Sequence, residues 1–334
     1  MLSELEFENF NQEKFDLLID ARSPKEFTHS HLQGALNFYA LNDDEHKKIG
    51  TLYKQNQALA KAEGASCICA NMASHIPVIT QKFRIGSKVG IYCARGGLRS
   101  KSIAVILSEL GYRVVRLKGG FKAYRAFLLN FFDQSLNLKL FSLCGNTGCG
   151  KSELLESLPH AIHLEKMANH LGSSFGNILG DQPTQKAFES LLFGEISKIN
   201  DFAFIESESR KIGEIILPLK LYESMQNAFK IYCFCSLENR IKRIEKFYKN
   251  KMTPLKFKEC VAKITPYISA NFKQDLLQNY EKKEWRKVIA MLLEYYDKTY
   301  KQPQKMDFKV NTDDISKAKE ELLNFLKTKH KINF

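Results

Sequence analysis

The sequence has no C-x-x-C pair, and its eight cysteines (67, 69, 93, 144, 149, 233, 235 and 260) are scattered through 334 residues. Such spacing does not resemble a disulfide framework and offers no structural zinc signature. It also lacks an apolar run long enough to span a bilayer and shows no secretory leader, so the expectation is a soluble, cytoplasmic protein with no membrane partner. Acidic residues are in deficit: 37 Asp+Glu against 50 Lys+Arg leave a net charge of +13. That excess favours a polyanionic partner such as nucleic acid, which concerns association and not fold. With 44% hydrophobic residues the chain can build real cores, and its length suggests two domains.

What is present is organised around residues 88–100. Val89, Ile91 and Tyr92 form a β-prone apolar run that ends on Cys93; Arg95, Gly96, Gly97 and Arg99 follow, and a helical pattern runs from Ser102 to Leu110. A short glycine-containing loop ahead of a helix can turn several backbone N–H groups inward, which suits an anion. A cysteine flanked by Arg95 and Arg99 in such a cup would be favoured as the nucleophilic thiolate. The competing reading is a buried structural cysteine, since free cysteines are often core residues.

Upstream, Phe15 to Asp20 reads as a buried strand, followed by Arg22, Glu26 and Phe27 and then by His31, Gly34 and Ala35. The succession D-x-R-x-x-x-E-F, H-x-x-G-A, the cysteine loop and Lys118-Gly119-Gly120-Phe121 resembles the rhodanese family in order and spacing. The resemblance implies a small α/β domain with a parallel sheet over residues 1–132. It also implies that Asp20, Arg22 and Glu26 mainly brace the fold beside the loop. Between these pieces lies an insert from Ala40 to Gly86, whose small residues at helical spacing suit either close helix packing or a ligand groove. Its Ala58 to Ala73 stretch is a candidate for part of an apolar pocket, while Cys67 and Cys69 read as packing.

After a polar linker, Asp133-Gln134-Ser135, a second domain covers 138–334. Leu138 to Leu143 reads as a strand, Gly145-Asn146-Thr147-Gly148-Cys149-Gly150-Lys151-Ser152 matches G-x-x-x-x-G-K-[ST], and Leu154, Leu155 and Leu158 continue as an apolar helix face. Glycines let backbone N–H groups wrap a phosphate, Lys151 neutralises it and Ser152 can reach a divalent cation. The motif does not say which phosphate occupies it, a nucleotide or another diphosphate. Glu206 and Glu208 end the apolar strand Phe202 to Ile205, where a P-loop protein holds its metal; Ser152 with Glu206 is the candidate magnesium pair. The alternative for both glutamates is a solvated strand end.

Residues 240–263 hold nine Lys/Arg, with Phe247, Tyr248 and Phe257 interleaved. Arg240, Lys242, Arg243, Lys246 and Lys249 are the candidate nucleic-acid contacts, with the aromatic rings available to stack on bases, against the reading of a solvated helix face. Trp285 to Tyr300 has helical periodicity, and a final strand and helix begin near Val310.

A rhodanese-type loop Y-C-x-R-G-G-x-R-S fused to a P-loop domain resembles the bacterial tRNA 2-selenouridine synthase family. Further blocks fit it: Gly50 to Gln55, Ala168 to Gly176, Gln182 to Glu189, Glu206 to Gly213, and Tyr295-Tyr296-Asp297. The resemblance implies an enzyme that S-geranylates wobble 2-thiouridine in the anticodon region of tRNA with geranyl diphosphate and then introduces selenium from selenophosphate. A selenophosphate-supplying enzyme would be a partner, and Cys93 would carry selenium as a perselenide. Two rival readings use the same loops: a sulfurtransferase with ATP at Gly145 to Ser152 and a Cys93 persulfide, and a non-catalytic tRNA-binding redox sensor.

Overall fold

The structure, a computed structural model, describes residues 2–173, 175–176, 178–249, 251–299 and 305–332. Ser174 of the Ala168 to Gly176 block and Tyr300 of the expected helix lie outside the described residues. The chain divides into two compact units, 1–131 with Glu189–Phe193, and 132–188 with 194–334.

In the first unit, strands β1 (Leu2–Leu5), β2 (Leu17–Asp20), β3 (Leu36–Asn37), β4 (Lys88–Tyr92) and β5 (Arg113–Leu117) form one sheet in the order β1-β5-β4-β2-β3. Every pairing is parallel. The central strands are near-continuous apolar runs, as a sheet covered on both faces requires, and Ile19, Val89, Ile91 and Val114 are fully buried. Its helices are α1 (Phe7–Gln12), α2 (Pro24–His29), α3 (Asp43–Gln55), α4 (Gln57–Lys82), α5 (Leu98–Glu109) and α6 (Gly120–Asp133). The insert is the pair α3 and α4, and a Cβ on Gly64 would stand 3.5 Å from Ile49 Cγ2. Gly64 and Ala60 are buried and serve packing, and Cys67 is half-buried, whereas Ala58, Ala62, Ala65, Cys69, Ala70 and Ala73 are exposed, so Cys69 is not a packing residue. Helix α5 begins four residues earlier than the apolar pattern indicates, so its first turn abuts the cysteine loop directly.

In the second unit, β6 (Lys139–Cys144), β7 (Ala161–Ile162), β8 (Phe202–Glu206), β11 (Phe229–Phe234) and β12 (Phe308–Asn311) form a second parallel sheet, ordered β12-β11-β6-β8-β7; β9 (Lys211–Ile212) and β10 (Ile215–Ile216) make a separate hairpin. Helices α7 (Lys151–Ser157), α8 (Leu164–Ala168), α9 (Gln185–Ile196) and α10 (Leu219–Gln226) follow in chain order. Beyond β11 come α11 (Leu237–Tyr248), α12 (Pro254–Ile264), α13 (Ala270–Glu281) and α14 (Trp285–Thr299), and after β12 comes α15 (Ile315–His330). Residues of α12, α13 and α14 close on an apolar cluster of their own around Phe257, Val261, Leu276 and Val288. Among the described residues no helix is long and apolar enough to cross a membrane.

Candidate active sites

Parallel sheets present their functional loops at the carboxyl ends of the strands, and each unit has one there. In the first, Asp20 pairs in register with Tyr92, so the chain leaves β4 at Cys93 beside the Asp20 to Arg22 segment. Cys93 is 3% exposed. Its Sγ accepts a hydrogen bond from Ser100 Oγ at 3.2 Å, in the first turn of α5, and lies 3.9 Å from Gly97 O. Gly120, at φ +60°, closes the loop from the other side: a Cβ there would stand 2.2 Å from Cys93 O and 2.6 Å from Gly96 N. Only glycine admits that approach, and it lets Phe121 N and Lys122 N donate to Cys93 O and Ala94 O at 2.8 and 3.0 Å.

The other motif residues converge on this loop. Arg22 bonds Asp20 through Nε and Nη2, donates to Ser30 O at 2.6 Å and places its guanidinium 3.7 Å from the Phe121 ring centroid. Glu26 closes a capping box with Ser23 at the start of α2 and receives Arg99 Nη1 at 2.6 Å. Burial raises the Glu26 carboxyl, but the hydrogen bond and charge of Arg99 outweigh it and leave the group below its ordinary value. Arg99 is therefore held by Glu26 beside the loop, whereas Arg95 is exposed and has no ion-pair partner among the described residues. Arg116 of β5, not singled out by any motif, donates to Gly96 O. Its position becomes visible only once β5 is seen next to β4.

In the second unit, β6 runs into Gly145 to Gly150 and α7 starts at Lys151. Lys151 Nζ donates to Gly145 O at 2.9 Å and to Asn146 O at 3.4 Å, bending over the loop it serves. Glu206 pairs in register with Leu143, which sets it at the carboxyl end of the strand beside the loop. Ser152 Oγ, however, donates to Glu165 Oε2 at 3.3 Å, while Glu206 Oε2 accepts the Glu165 N–H at 2.9 Å. Ser152 is thus joined to Glu206 through Glu165, whose carboxylate accepts from Ser152 and whose N–H donates to Glu206. Glu165 follows a two-residue edge strand, too short to be recognised by pattern.

Glu208 completes the cluster. A Cβ on Gly172 would lie 2.7 Å from Glu165 Oε1 and 2.8 Å from Glu208 Oε2, so both carboxylates converge on that turn. Burial and the charge of Glu165 push Glu206 up to about 7, the Glu165 N–H and Lys151 opposing them. Burial and Glu165 raise Glu208 further above the ordinary carboxyl range, and burial also raises Glu165. Both Glu206 and Glu208 are buried, at 2% and 7% exposure, and so are not solvated strand ends. Among the described residues no three or more His, Cys, Asp or Glu side chains are arranged to hold a metal. The oxygen pair Ser152 and Glu165 suits a magnesium ion that keeps waters and phosphate oxygens as its other ligands.

The basic stretch separates into two roles. Arg240, 7% exposed, holds Asp297 with two bonds of 2.7 Å and donates from Nε to Thr147 O at 2.9 Å. Arg243 bonds Glu153 at 2.7 Å and Cys235 Sγ at 3.2 Å, and its guanidinium lies against Gly150. Of these two expected RNA contacts, Arg240 is buried and ties α11 to the phosphate loop, while Arg243 ties α11 to α7 and to Thr312 O. Lys242, Lys246 and Lys249 are exposed. Phe257 is buried and stacked on Tyr280 with centroids 3.8 Å apart, so it is not available to a base, whereas Phe247 is exposed.

Residues 4–127 match the family description "Rhodanese-like domain", and 138–279 match "tRNA 2-selenouridine synthase AAA domain". Among curated proteins the chain is 35% identical over 240 residues to the tRNA 2-selenouridine synthase of Psychromonas ingrahamii, covering 71% of this chain and 66% of that protein. It is 37% identical over 235 residues to that of Pseudomonas syringae pv. tomato, covering 68% and 64%. The match thus spans slightly under two thirds of the length of these relatives. With both domain types in sequence and each built around the loop that its motif requires, the chain is similar to tRNA 2-selenouridine synthases across both domains.

Proposed function

We propose that the protein is a cytoplasmic enzyme that converts wobble 2-thiouridine of tRNA to 2-selenouridine in two steps. In the first, the thio sulfur attacks C1 of geranyl diphosphate, the C–O bond breaks, and diphosphate leaves with the electron pair. In the second, the selenium of selenophosphate attacks C2 of the base, the S-geranyl group departs with the C–S electron pair and takes up a proton as geranylthiol, and water cleaves the Se–P bond to release phosphate. Alkylation turns a poor leaving group into a good one, which is why the first step precedes the second.

One observation carries this reading: the same chain has a cysteine loop and a phosphate loop, each at the carboxyl end of its own parallel sheet. The phosphate loop is assigned to the diphosphate, with Lys151 neutralising its charge as it departs. Magnesium, if held by Ser152 and Glu165, supplies further positive charge there. Burial and the neighbouring Glu165 favour the protonated forms of Glu206 and Glu208, which would leave more of that charge for the ligand. Cys93 is assigned to selenium transfer, with Ser100 holding its sulfur and exposed Arg95 available to the incoming anion. Exposed Lys242, Lys246 and Lys249 remain the tRNA-facing candidates. A selenophosphate-supplying enzyme is the expected partner.

The test separates the two steps. Cys93→Ser should abolish selenium incorporation into tRNA while S-geranylation continues, both read by nucleoside mass spectrometry. Loss of both products in a folded variant would contradict the division of labour between the loops.

A further inference from the structure

Beside the phosphate loop the second unit contains a largely apolar pocket, and apolar walls carrying a few polar groups are usual for small-molecule sites. It is lined by residues of the loop itself and of α11, α12 and α14, and nothing in the reading above uses it. Its composition and direction identify what it would accept.

One long wall is a face of α14. Trp285, Val288, Ile289, Leu292, Leu293 and Tyr296 recur every three or four residues and all line the cavity. The next residue, Asp297, is the one that Arg240 holds, and Arg240 also bonds Thr147 O, so this end of α14 is fixed at the phosphate loop. Trp285 lies twelve residues away, about 18 Å along the helix axis at 1.5 Å per residue. The wall therefore leads from the loop into the helical region. The facing wall begins equally close to the loop. Ile244 of α11 lines the cavity, and a Cβ on Gly148 would stand 2.9 Å from Ile244 Cδ1. Thr147 belongs to both the loop and the cavity.

The lining distinguishes between two kinds of phosphate ester. A nucleobase presents ring nitrogens and exocyclic groups that need carboxamide, charged or backbone partners. Here the polar side-chain groups are the hydroxyls of Thr147, Ser173, Tyr248 and Tyr296 and the indole N–H of Trp285, and the other lining side chains are apolar, with no carboxamide or charged group among them. A hydrocarbon tail attached to a diphosphate meets both conditions: its head fits the loop and its chain fits the walls.

We propose that this cavity is the tail-binding site of a prenyl diphosphate whose head occupies residues 145–152, with Trp285 setting the length of chain admitted. The proposal rests on the geranyl diphosphate reading above and deepens it. It places the tail in the second unit instead of at Ala58 to Ala73.

The experiment is calorimetric titration of the full chain with inorganic diphosphate, geranyl diphosphate and the longer farnesyl diphosphate. In the wild type, geranyl diphosphate should bind at least tenfold tighter than diphosphate. Leu292→Trp, which fills the cavity from a half-buried position, should lower that ratio at least tenfold, and Trp285→Ala, which opens the distal end, should move the preference towards farnesyl diphosphate. A wild-type ratio above ten that survives both substitutions overturns the cavity assignment while leaving the geranyl donor in place. A wild-type ratio near one, with diphosphate bound, removes the prenyl donor itself and the cavity assignment with it.

Discussion

Arg240 and Asp297 meet in two parallel hydrogen bonds of 2.7 Å, and the same guanidinium donates to the carbonyl of Thr147. A residue late in α14 thereby reaches the phosphate loop through a buried arginine of α11. Asp297→Ala would leave that arginine without its counter-charge. Because the Asp297 side chain is 35% exposed, the cost should be about 1–3 kcal/mol, below that of a fully buried pair. Denaturant unfolding measures it, and diphosphate affinity should fall in the same variant; unchanged values for both would show that the pair does not support the loop.

Gly120 is the counterpart at the cysteine loop. Gly120→Ala combines a left-handed backbone with a contact of 2.2 Å to Cys93 O, and the expected cost is about 2–4 kcal/mol. Selenium incorporation should drop sharply while S-geranylation persists. Wild-type selenation in this variant would mean that the loop tolerates displacement by α6.

Lys151→Ala should weaken inorganic diphosphate binding at least tenfold by calorimetry, since the loop would lose its cation. Unchanged affinity would remove the phosphate loop from the mechanism.

Much of this was legible in the sequence because motifs report local geometry. The glycines of residues 145–150, the strand and helix around them and the strand ending at Cys93 all follow from short-range pattern. What escaped depends on which distant segments become neighbours. Glu165 acquires its role from the strand pairing that brings α8 to β8, and Arg116 acquires its own from β5 lying next to β4. Arg240 and Arg243 looked like a surface stripe because charge is counted along the chain, whereas burial is decided by α14 and β12 packing against α11. The block Tyr295-Tyr296-Asp297 fits the family for a reason that only the fold supplies: Asp297 is the partner of Arg240. Residues Ala168 to Gly213 behave similarly, since Gln182 bonds Ala168 O, Ile212 O and the Glu214 N–H, tying three blocks together.

The carboxylate cluster predicts a pH dependence. Glu206, pushed up to about 7 by burial and by Glu165, titrates above its unfolded value of about 4.3. Its stabilising contribution is complete below that unfolded value and is lost as pH rises towards and through 7. Glu206→Gln keeps an acceptor for the Glu165 N–H and cannot ionise. Its stability relative to the wild type should therefore improve between pH 5 and pH 8, read as the difference in denaturation midpoint. A difference that stays constant over that interval would place the Glu206 titration elsewhere.

The most direct test of the central claim is nucleoside mass spectrometry on tRNA bearing wobble 2-thiouridine, incubated with the protein, geranyl diphosphate and selenophosphate. The account predicts S-geranyl-2-thiouridine first and 2-selenouridine after it, with no requirement for ATP. Unchanged 2-thiouridine under conditions where the tRNA is bound would contradict it, and ATP with a persulfide donor would then be the next pair to supply.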